Sequence, residues 1–185
     1  WNMIFSPISN ITDLNVDSYL VTGGSNLFEY FPSLKNVSIE GNITKNLIER
    51  AGNFKLEYLK ISSSLTKIDI DYLKNFNELR ELEVEFSVIR FIKPGEFCPL
   101  TKLTKLAITF GHLTIMKPGT FYGLKQLKEL RLMRNSLNEI QEGVFGSVSE
   151  NISTEIQNDY NVQNKCETPE GLIQLEILYL TYSNI

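Results

Sequence analysis

Leucine and isoleucine recur along the chain with a period of 22 to 24 residues. Each unit opens with the pattern L-x-x-L-x-L, in which isoleucine or valine replaces some of the leucines. The units begin at Ile11, Leu34, Leu56, Leu79, Leu103, Leu127 and Leu175. The last interval is 48 residues, twice 24, so one unit has lost its leucines. We therefore predict about eight repeats in residues 1–185, with a degenerate repeat at residues 149–174.

The L-x-L part of each unit predicts a short strand. Alternate side chains of a strand lie on one face, so each run presents its apolar residues together. One such strand cannot bury these residues alone, whereas strands stacked in parallel, one per repeat, form a continuous core. We expect parallel strands with buried leucines at Val37–Ile39, Leu59–Ile61, Leu82–Val84, Leu106–Ile108, Leu130–Leu132 and Leu178–Leu180.

Phenylalanine returns with the same period, at Phe97, Phe121 and Phe145, each two residues after a glycine. The glycine permits a tight backbone turn, and the nearby Pro94 and Pro118 oppose long helices. We predict that the three rings are buried on the convex side of the coil, opposite the strands. The predicted fold class is α/β, a solenoid with one short parallel strand per repeat of 22–24 residues.

Four sequons match the N-glycosylation pattern, at Asn10, Asn36, Asn42 and Asn151. Four are more than chance would place in so short a chain, which favours a secretory or extracellular protein. We expect an exposed, glycosylated Asn42, a glycan at Asn151 on an irregular excursion, and Asn36 pointing outward near the concave face. A sugar at Asn36 would direct binding away from the concave face of the early repeats.

These features form the leucine-rich-repeat pattern, and the units around Phe97, Phe121 and Phe145 resemble the ectodomain repeats of Toll-like receptors. The resemblance rests on the 24-residue period, the x-x-G-x-F-x-x-L ending, the sequons and the degenerate repeat. It implies a horseshoe that recognises microbial molecules, dimerises, and signals through an intracellular domain. The same repeats occur in matrix proteoglycans, neuronal adhesion receptors and lamprey variable lymphocyte receptors. The alternative is therefore an adhesion, matrix or soluble immune protein that binds a protein partner.

The resemblance also implies a location and partners. We expect the extracellular side of the cell membrane, or the endosomal lumen, rather than free secretion. The expected partners are a microbial ligand or a protein, and another leucine-rich-repeat receptor in a homo- or heterodimer. Solenoids need caps and both ends of this stretch lack them, while no apolar run is long enough to span a bilayer. A membrane tether is therefore expected outside this stretch.

The net charge is −4 and no block of lysine or arginine is present, so nucleic-acid binding is not favoured. The one histidine, His112, is predicted on the opposite side of the coil from Cys98, and no nucleophile-elbow motif occurs. We predict no enzyme activity, no metal and no cofactor. Cys98 and Cys166 lie about three repeats apart, so we expect no bond between them unless the degenerate repeat folds back.

A regular repeat carries an asparagine three residues after the L-x-L run, where its amide bonds neighbouring backbone. Only Asn135 occupies this position cleanly, whereas Ser87, Gly111 and Ser183 occupy it elsewhere. In the first three units the next apolar residue follows after four residues instead of five, which indicates a missing residue. Some cell-surface Toll-like receptors have a ladder broken in this way and admit lipid ligands there, and the resemblance extends that expectation to this chain.

Three carboxylates, Glu81, Glu83 and Glu85, alternate along one predicted strand and face the concave side. Paired carboxylates are also the groups of an acid/base site or a cation site. In the repeat register, however, Lys60 lies beside Glu83 and Lys105 beside Glu81. We therefore favour a solvated ladder of ion pairs.

Exposed aromatic residues are the better candidates for binding. Phe86 and Phe110 occupy equivalent positions in adjacent repeats, so their rings can touch at a strand spacing of about 4.8 Å. Aromatic rings beside an arginine are typical of binding hot spots. The candidate ligand- or partner-binding residues are Phe86, Phe110, Met133, Arg134, Tyr179 and Tyr182. The alternative is that the rings fold inward and fill the space left by the interrupted asparagine ladder.

Overall fold

The computed structural model describes residues 7–17, 27–41, 51, 54–67, 73–146 and 171–180. The regular secondary structure of this part is mostly strand, with few helical residues, among them a 3-10 turn at Leu27–Tyr30. The strands are β1 (Asp13–Asp17), β2 (Asn36–Glu40), β3 (Tyr58–Ser62), β4 (Glu81–Glu85), β5 (Lys105–Thr109), β6 (Ile115–Met116), β7 (Glu129–Arg131), β8 (Glu139–Ile140) and β9 (Ile177–Tyr179). Within these ranges no helix is long and apolar enough to cross a membrane.

Seven strands form one parallel sheet in the order β1-β2-β3-β4-β5-β7-β9. The register carries each leucine onto its equivalent in the next repeat, as in Leu59 opposite Leu82 and Leu82 opposite Leu106. The predicted solenoid of parallel strands is therefore confirmed. Strands β2 to β5 extend one residue beyond each predicted end, whereas β7 and β9 begin and end one residue earlier than predicted.

The inward-facing residues of the sheet form a continuous apolar core. The first apolar residue of each central strand is at most 1% exposed, at Val37, Leu59, Leu82, Leu106 and Leu130. Burying one such side chain contributes about 1.5–3 kcal/mol. Leu178 differs because it is 40% exposed, so the expectation of burial is wrong there. Its strand β9 pairs on one side only, with β7, among the described residues.

The convex side is built from stacked phenylalanine rings. Phe97 and Phe121 are fully buried, with ring centroids 6.4 Å apart and planes 7° apart, and Phe145 continues the stack at 6.0 Å and 8°. The glycine two residues before each ring has a φ of 78° to 80°, which other residues avoid. Phe145 is only half-buried, so its predicted full burial is wrong. No described ring covers its second face.

A second, small parallel ladder lies between the sheet and the convex stack. It pairs β6 with β8, and an isolated bridge joins Phe91 to Ile115. These residues repeat with the same 24-residue spacing as the core, at Phe91, Ile115 and Glu139. The sequence pattern did not predict this ladder, because two-residue strands have too few positions to show an alternation.

Cys98 is 5% exposed on the convex side and is disulfide-bonded. No cysteine is free among the residues described, and the sequence contains one other cysteine, Cys166, which lies outside them. The expectation that Cys98 and Cys166 form no bond unless the degenerate repeat folds back concerns a residue outside the described part, so it stays a prediction. That expectation assumes that three strand spacings separate the two cysteines, and the strand spacing applies only to segments that carry the L-x-L run.

Candidate ligand-binding surface

The backbone leaves the sheet in the same conformation in three successive repeats. Phe86 follows β4, Phe110 follows β5, and Arg134 lies three residues beyond β7. Their φ angles are 56°, 54° and 57°, in the left-handed region. This conformation costs an L-amino acid roughly 1–2 kcal/mol. In the described part of the chain these are the only non-glycine residues with positive φ, so the backbone strain is concentrated at one edge of the sheet.

The three side chains form one row, which we call the Phe–Phe–Arg row. The ring centroids of Phe86 and Phe110 are 5.4 Å apart, and the guanidinium carbon of Arg134 lies 5.1 Å from the Phe110 centroid. The predicted contact between the two rings is confirmed. Both rings stay open to solvent, since Phe86 is 56% and Phe110 45% exposed. An aromatic pair contributes about 0.5–1.5 kcal/mol, and a cation–π contact at the surface about 0.5–1 kcal/mol.

The alternative, in which the rings fill the interrupted ladder, is wrong because an amide already occupies that space. The Asn135 side chain is buried, and its Nδ2 donates to the carbonyls of Ile108 and Leu132 at 2.6 and 2.9 Å. Its Oδ1 accepts the Leu113 N–H at 3.3 Å. Gly111 leaves room for this reach, since a Cβ there would lie 2.8 Å from that oxygen. The rings therefore remain outside the core.

Backbone hydrogen bonds fix the row to the sheet. The Phe86 N–H donates to the Thr109 carbonyl and the Phe110 N–H donates to the Met133 carbonyl, each at 3.2 Å. These bonds continue the parallel ladder one residue beyond the strands. A side chain that is fixed to a sheet in this way is positioned more precisely than a side chain on a loop.

Two of the other candidates are displaced from the row. Met133 precedes Arg134 and is half-buried at its side. Tyr179 lies on the outward face of the sheet, where it pairs with Arg131, whose guanidinium carbon is 5.3 Å from its ring centroid. Tyr182 lies outside the described residues. Arg131 was not among the predicted binding residues, although its alternating position within the L-x-L run indicates an outward side chain.

The carboxylates of β4 are paired with lysines from both neighbouring strands. Lys60 Nζ lies 2.9 Å from Glu85 and 3.9 Å from Glu83, and Lys105 Nζ lies 3.0 Å from Glu81. The hydrogen bond to Glu85 raises the pKa of Lys60 above its usual value. The geometry therefore matches the favoured ion-pair ladder. The described residues contain no cluster of three potential metal ligands.

The outward face of the main sheet is acidic overall. Its outward positions carry seven carboxylates, at Asp13, Asp17, Glu40, Glu81, Glu83, Glu85 and Glu129. They carry three cations, at Lys60, Lys105 and Arg131. The net charge of this face is therefore −4, the same as the formal charge of the whole chain. Such a face attracts cationic partners and repels anions.

Two of the four sequons can be placed. Asn10 is exposed in a turn before β1. Asn36 opens β2 on its outward face, as expected, and its Nδ2 donates to Asp13 Oδ1 at 2.7 Å. An asparagine amide has two N–H groups, so a glycan on one leaves the other available for Asp13. Asn42 and Asn151 lie outside the described residues, and glycosylation at all four positions stays a prediction.

The candidate nucleophile and base do not meet. The backbone N–H of His112 donates to the Ser87 carbonyl at 3.2 Å, and its side chain is exposed. Cys98 is buried on the convex side, and its sulfur is held in a disulfide. The described part of the chain therefore offers no thiol–imidazole pair for nucleophilic catalysis.

Two family models match the chain. The model described as Leucine rich repeat matches residues 101–150, and the model described as BspA type Leucine rich repeat region (6 copies) matches residues 2–80. Together they cover more than two thirds of the sequence. Among curated proteins, none matches at a significant level.

A solved structure of Toll shares the fold. Toll, in the Toll–Spatzle complex of Drosophila, matches at 20% identity over 96% of this chain and 29% of that chain, with a TM-score of 0.56. The TLR13–ssRNA13 complex matches at 24% identity over 74% of this chain and 25% of that chain, with a TM-score of 0.46. The TM-score of the second match is too low to carry an argument, and this chain spans less than a third of either structure. With its parallel solenoid and its matches to repeat models, the chain is a leucine-rich-repeat domain whose fold resembles Toll-like receptor ectodomains.

Proposed function

We propose that this chain is the ligand-recognition region of an innate-immune receptor of Toll-like type. The observation that carries the proposal is the Phe–Phe–Arg row, which is exposed, strained and fixed to the sheet. Strained backbone conformations persist only where the surrounding structure enforces them, and they cluster at ligand clamps and switches. Exposed aromatic rings beside an arginine also have the composition of a binding hot spot.

The receptor acts by association of two leucine-rich-repeat chains, bridged by a microbial ligand or by a protein. The Toll–Spatzle complex supports a protein ligand on this fold. In our proposal residues 1–185 form one solenoid, with residues 149–174 as an irregular repeat that carries a glycan at Asn151. The domain faces the outside of the cell or the endosomal lumen, and a membrane tether lies outside this stretch. Recognition is a matter of surface contacts, so no residue is assigned to catalysis.

The second candidate function is adhesion, matrix binding or soluble immune binding. The charged outward face of the sheet favours it, because such a face can hold a protein partner without any receptor dimer. The two candidates differ in one measurable property: a receptor brings two copies together when its ligand binds, whereas an adhesion protein does not require this.

The test measures energy transfer between two tagged copies of the full-length protein on cultured cells. Bacterial extracts, fungal cell-wall extracts and culture supernatant of the host's own cells are added separately. We expect one of them to bring the copies together in the wild type and to fail with the double variant Phe86→Ala, Phe110→Ala. Ile173→Ala is the matched control, because Ile173 is 64% exposed and lies away from the row. Binding of an extract without any change in energy transfer would favour the adhesion function instead.

A further inference from the structure

Within the described residues, Arg134 covers one end of the Phe–Phe–Arg row and no ring continues it beyond Phe86 at the other end. Register places Gly41 and Ser63 in the two earlier repeats at the position that Phe86 occupies, because Glu40, Ser62 and Glu85 are aligned. One face of the Phe86 ring packs on Phe110. At the equivalent positions in the two earlier repeats Ser63 is buried and Gly41 has no side chain, so no ring continues the row there. A flat or branched apolar group could therefore extend the stack beyond Phe86 by one or two strand spacings.

Carboxylates border this open end. Glu40 and Glu85 end their strands directly beside the two small residues. Glu85 is held by Lys60 at 2.9 Å. Glu40 is exposed; its charge contributes to the raised pKa of Lys60, but it makes no direct ion pair with the described residues. An exposed ring beside an exposed carboxylate, on a face with a net charge of −4, is complementary to an apolar side chain that is flanked by a cation.

We propose that the open end of the Phe–Phe–Arg row binds a basic polypeptide. An apolar or aromatic side chain of that polypeptide stacks on Phe86 above Ser63, and a lysine or arginine of the same segment reaches Glu40. The Glu40 strand lies two spacings, about 10 Å, from the Phe86 strand. An extended peptide covers that distance in about three residues. This inference rests on the proposed function and specifies the chemistry of its ligand.

Other occupants fit the charges less well. The phosphates of a nucleic acid would face seven carboxylates and only three cations on the adjoining sheet. A second copy of this chain would bring an identical acidic face, and like charges across an interface oppose association. A basic polypeptide neutralises the face instead, and the contribution of the charges then falls as salt screens them.

The experiment uses the glycosylated ectodomain and synthetic peptides. The probe is an extended peptide with one phenylalanine and a lysine three residues to either side. The same peptide with glutamate for lysine, the same peptide with alanine for phenylalanine, and oligouridine RNA are compared with it by isothermal titration calorimetry at two salt concentrations. We expect the Lys–Phe peptide to bind most tightly, and more weakly at high salt.

Variants locate the binding. Phe86→Ala and Glu40→Gln should each weaken binding of the Lys–Phe peptide about five- to tenfold. The controls Ile173→Ala and Glu142→Gln, at exposed positions away from the row, should leave it within about twofold. Thermal unfolding of each variant checks that it folds, and Glu40→Gln keeps the test valid if Phe86→Ala does not fold.

The outcomes separate this inference from the proposed function. If the glutamate peptide or the RNA binds more tightly, and this binding needs Phe86, the row is a binding site but its ligand is not basic. If no variant changes binding of the Lys–Phe peptide, the site assignment is wrong. Sedimentation of the ectodomain tests the remaining occupant. If the ectodomain self-associates and Phe86→Ala abolishes this association, the inference is overturned, because the row then binds a second copy of the chain.

Discussion

The repeats of β3 and β4 share a core but end their strands in different ways. In β3 the next core residue, Leu65, follows Ile61 after four residues, and its N–H bonds the Ser63 carbonyl at 2.7 Å. In β4 the next core residue follows after five residues, and the added residue places Phe86 in the left-handed region. Between these two repeats, one residue of length accompanies the change from a flat edge to one that projects a side chain.

This difference separates the shared core from the candidate binding edge along the same solenoid. The core residues are interchangeable between the two repeats, because both bury leucine at the same register position. The edge is not interchangeable, since the later repeats place two rings and a guanidinium where the earlier ones have a hydrogen and a hydroxymethyl group. The following predictions test whether the difference is confined to the edge.

The largest effect is expected in the core, where the two regions should behave alike. Leu59→Ala in β3 and Leu106→Ala in β5 should each lower the free energy of unfolding by about 2–5 kcal/mol, because each leaves a cavity among fully buried neighbours. Urea denaturation followed by circular dichroism measures both. A much smaller cost for Leu59→Ala would mean that the early repeats form a separate and looser core.

The period of the leucines was enough to predict the sheet, its parallel order and most of its core. A single repeat cannot bury its apolar residues, so it must stack in register on its neighbours. One correctly predicted strand therefore fixes the position of the next. Exposure at Leu178 and Phe145 could not be predicted, because it depends on what covers a residue and not on its spacing. The disulfide of Cys98 was also not predicted, because the repeat period does not show which cysteines are connected.

The candidate site was predicted only in part. Equal spacing placed Phe86 and Phe110 side by side, and adjacent strands brought the rings into contact. The left-handed backbone has no signature in these residue types, since glycine and asparagine are the residues that normally indicate it. Tyr179 was predicted in the row because it is aromatic, like Phe86 and Phe110. In the sheet it is the register partner of Arg131 instead.

A second effect is expected at the amide that closes the ladder. Asn135→Ala removes three hydrogen bonds and leaves the Leu113 N–H and two carbonyls without that partner. We expect a loss of about 1–3 kcal/mol in the free energy of unfolding, measured by urea denaturation. Asn138→Ala, at an exposed position nearby, is the control and should change little. If both substitutions cost the same, the later repeats do not depend on this amide.

A smaller effect isolates the backbone strain itself. Phe86→Gly and Phe86→Ala both remove the ring, so their difference reports the left-handed conformation. We expect the glycine variant to be more stable than the alanine variant by about 1 kcal/mol. Ser63, the equivalent residue in β3, has no positive φ. Its glycine variant should instead be less stable than its alanine variant, by about 0.4–1 kcal/mol.

The stability difference between the glycine and alanine variants is expected to have opposite signs at Phe86 and Ser63, so an error common to all four measurements cannot produce both differences. Thermal and urea unfolding of the four variants give the two differences directly. The same sign at both positions would contradict the proposed distinction between a flat early edge and a projecting later one.

The smallest effect concerns the boundary between the two regions, where Tyr58 of β3 donates to Glu83 of β4 at 3.2 Å. Burial first, and the Glu83 carboxylate second, raise the pKa of Tyr58 to about 12. A raised tyrosine pKa means that the folded state retains a proton which the unfolded state releases above about pH 10. The resulting stabilisation is complete below that pH and is lost as the pH rises towards 12.

Absorbance of the phenolate, taken as the difference between wild type and Tyr58→Phe, measures this titration. Glu83→Gln should lower the pKa of Tyr58 but leave it above its ordinary value, because burial is the larger cause. Glu81→Gln is the control: Glu81 is the register partner of Tyr58 but pairs with Lys105. If Glu81→Gln lowered the pKa more than Glu83→Gln did, the hydrogen bond between the early and later repeats would be assigned to the wrong carboxylate.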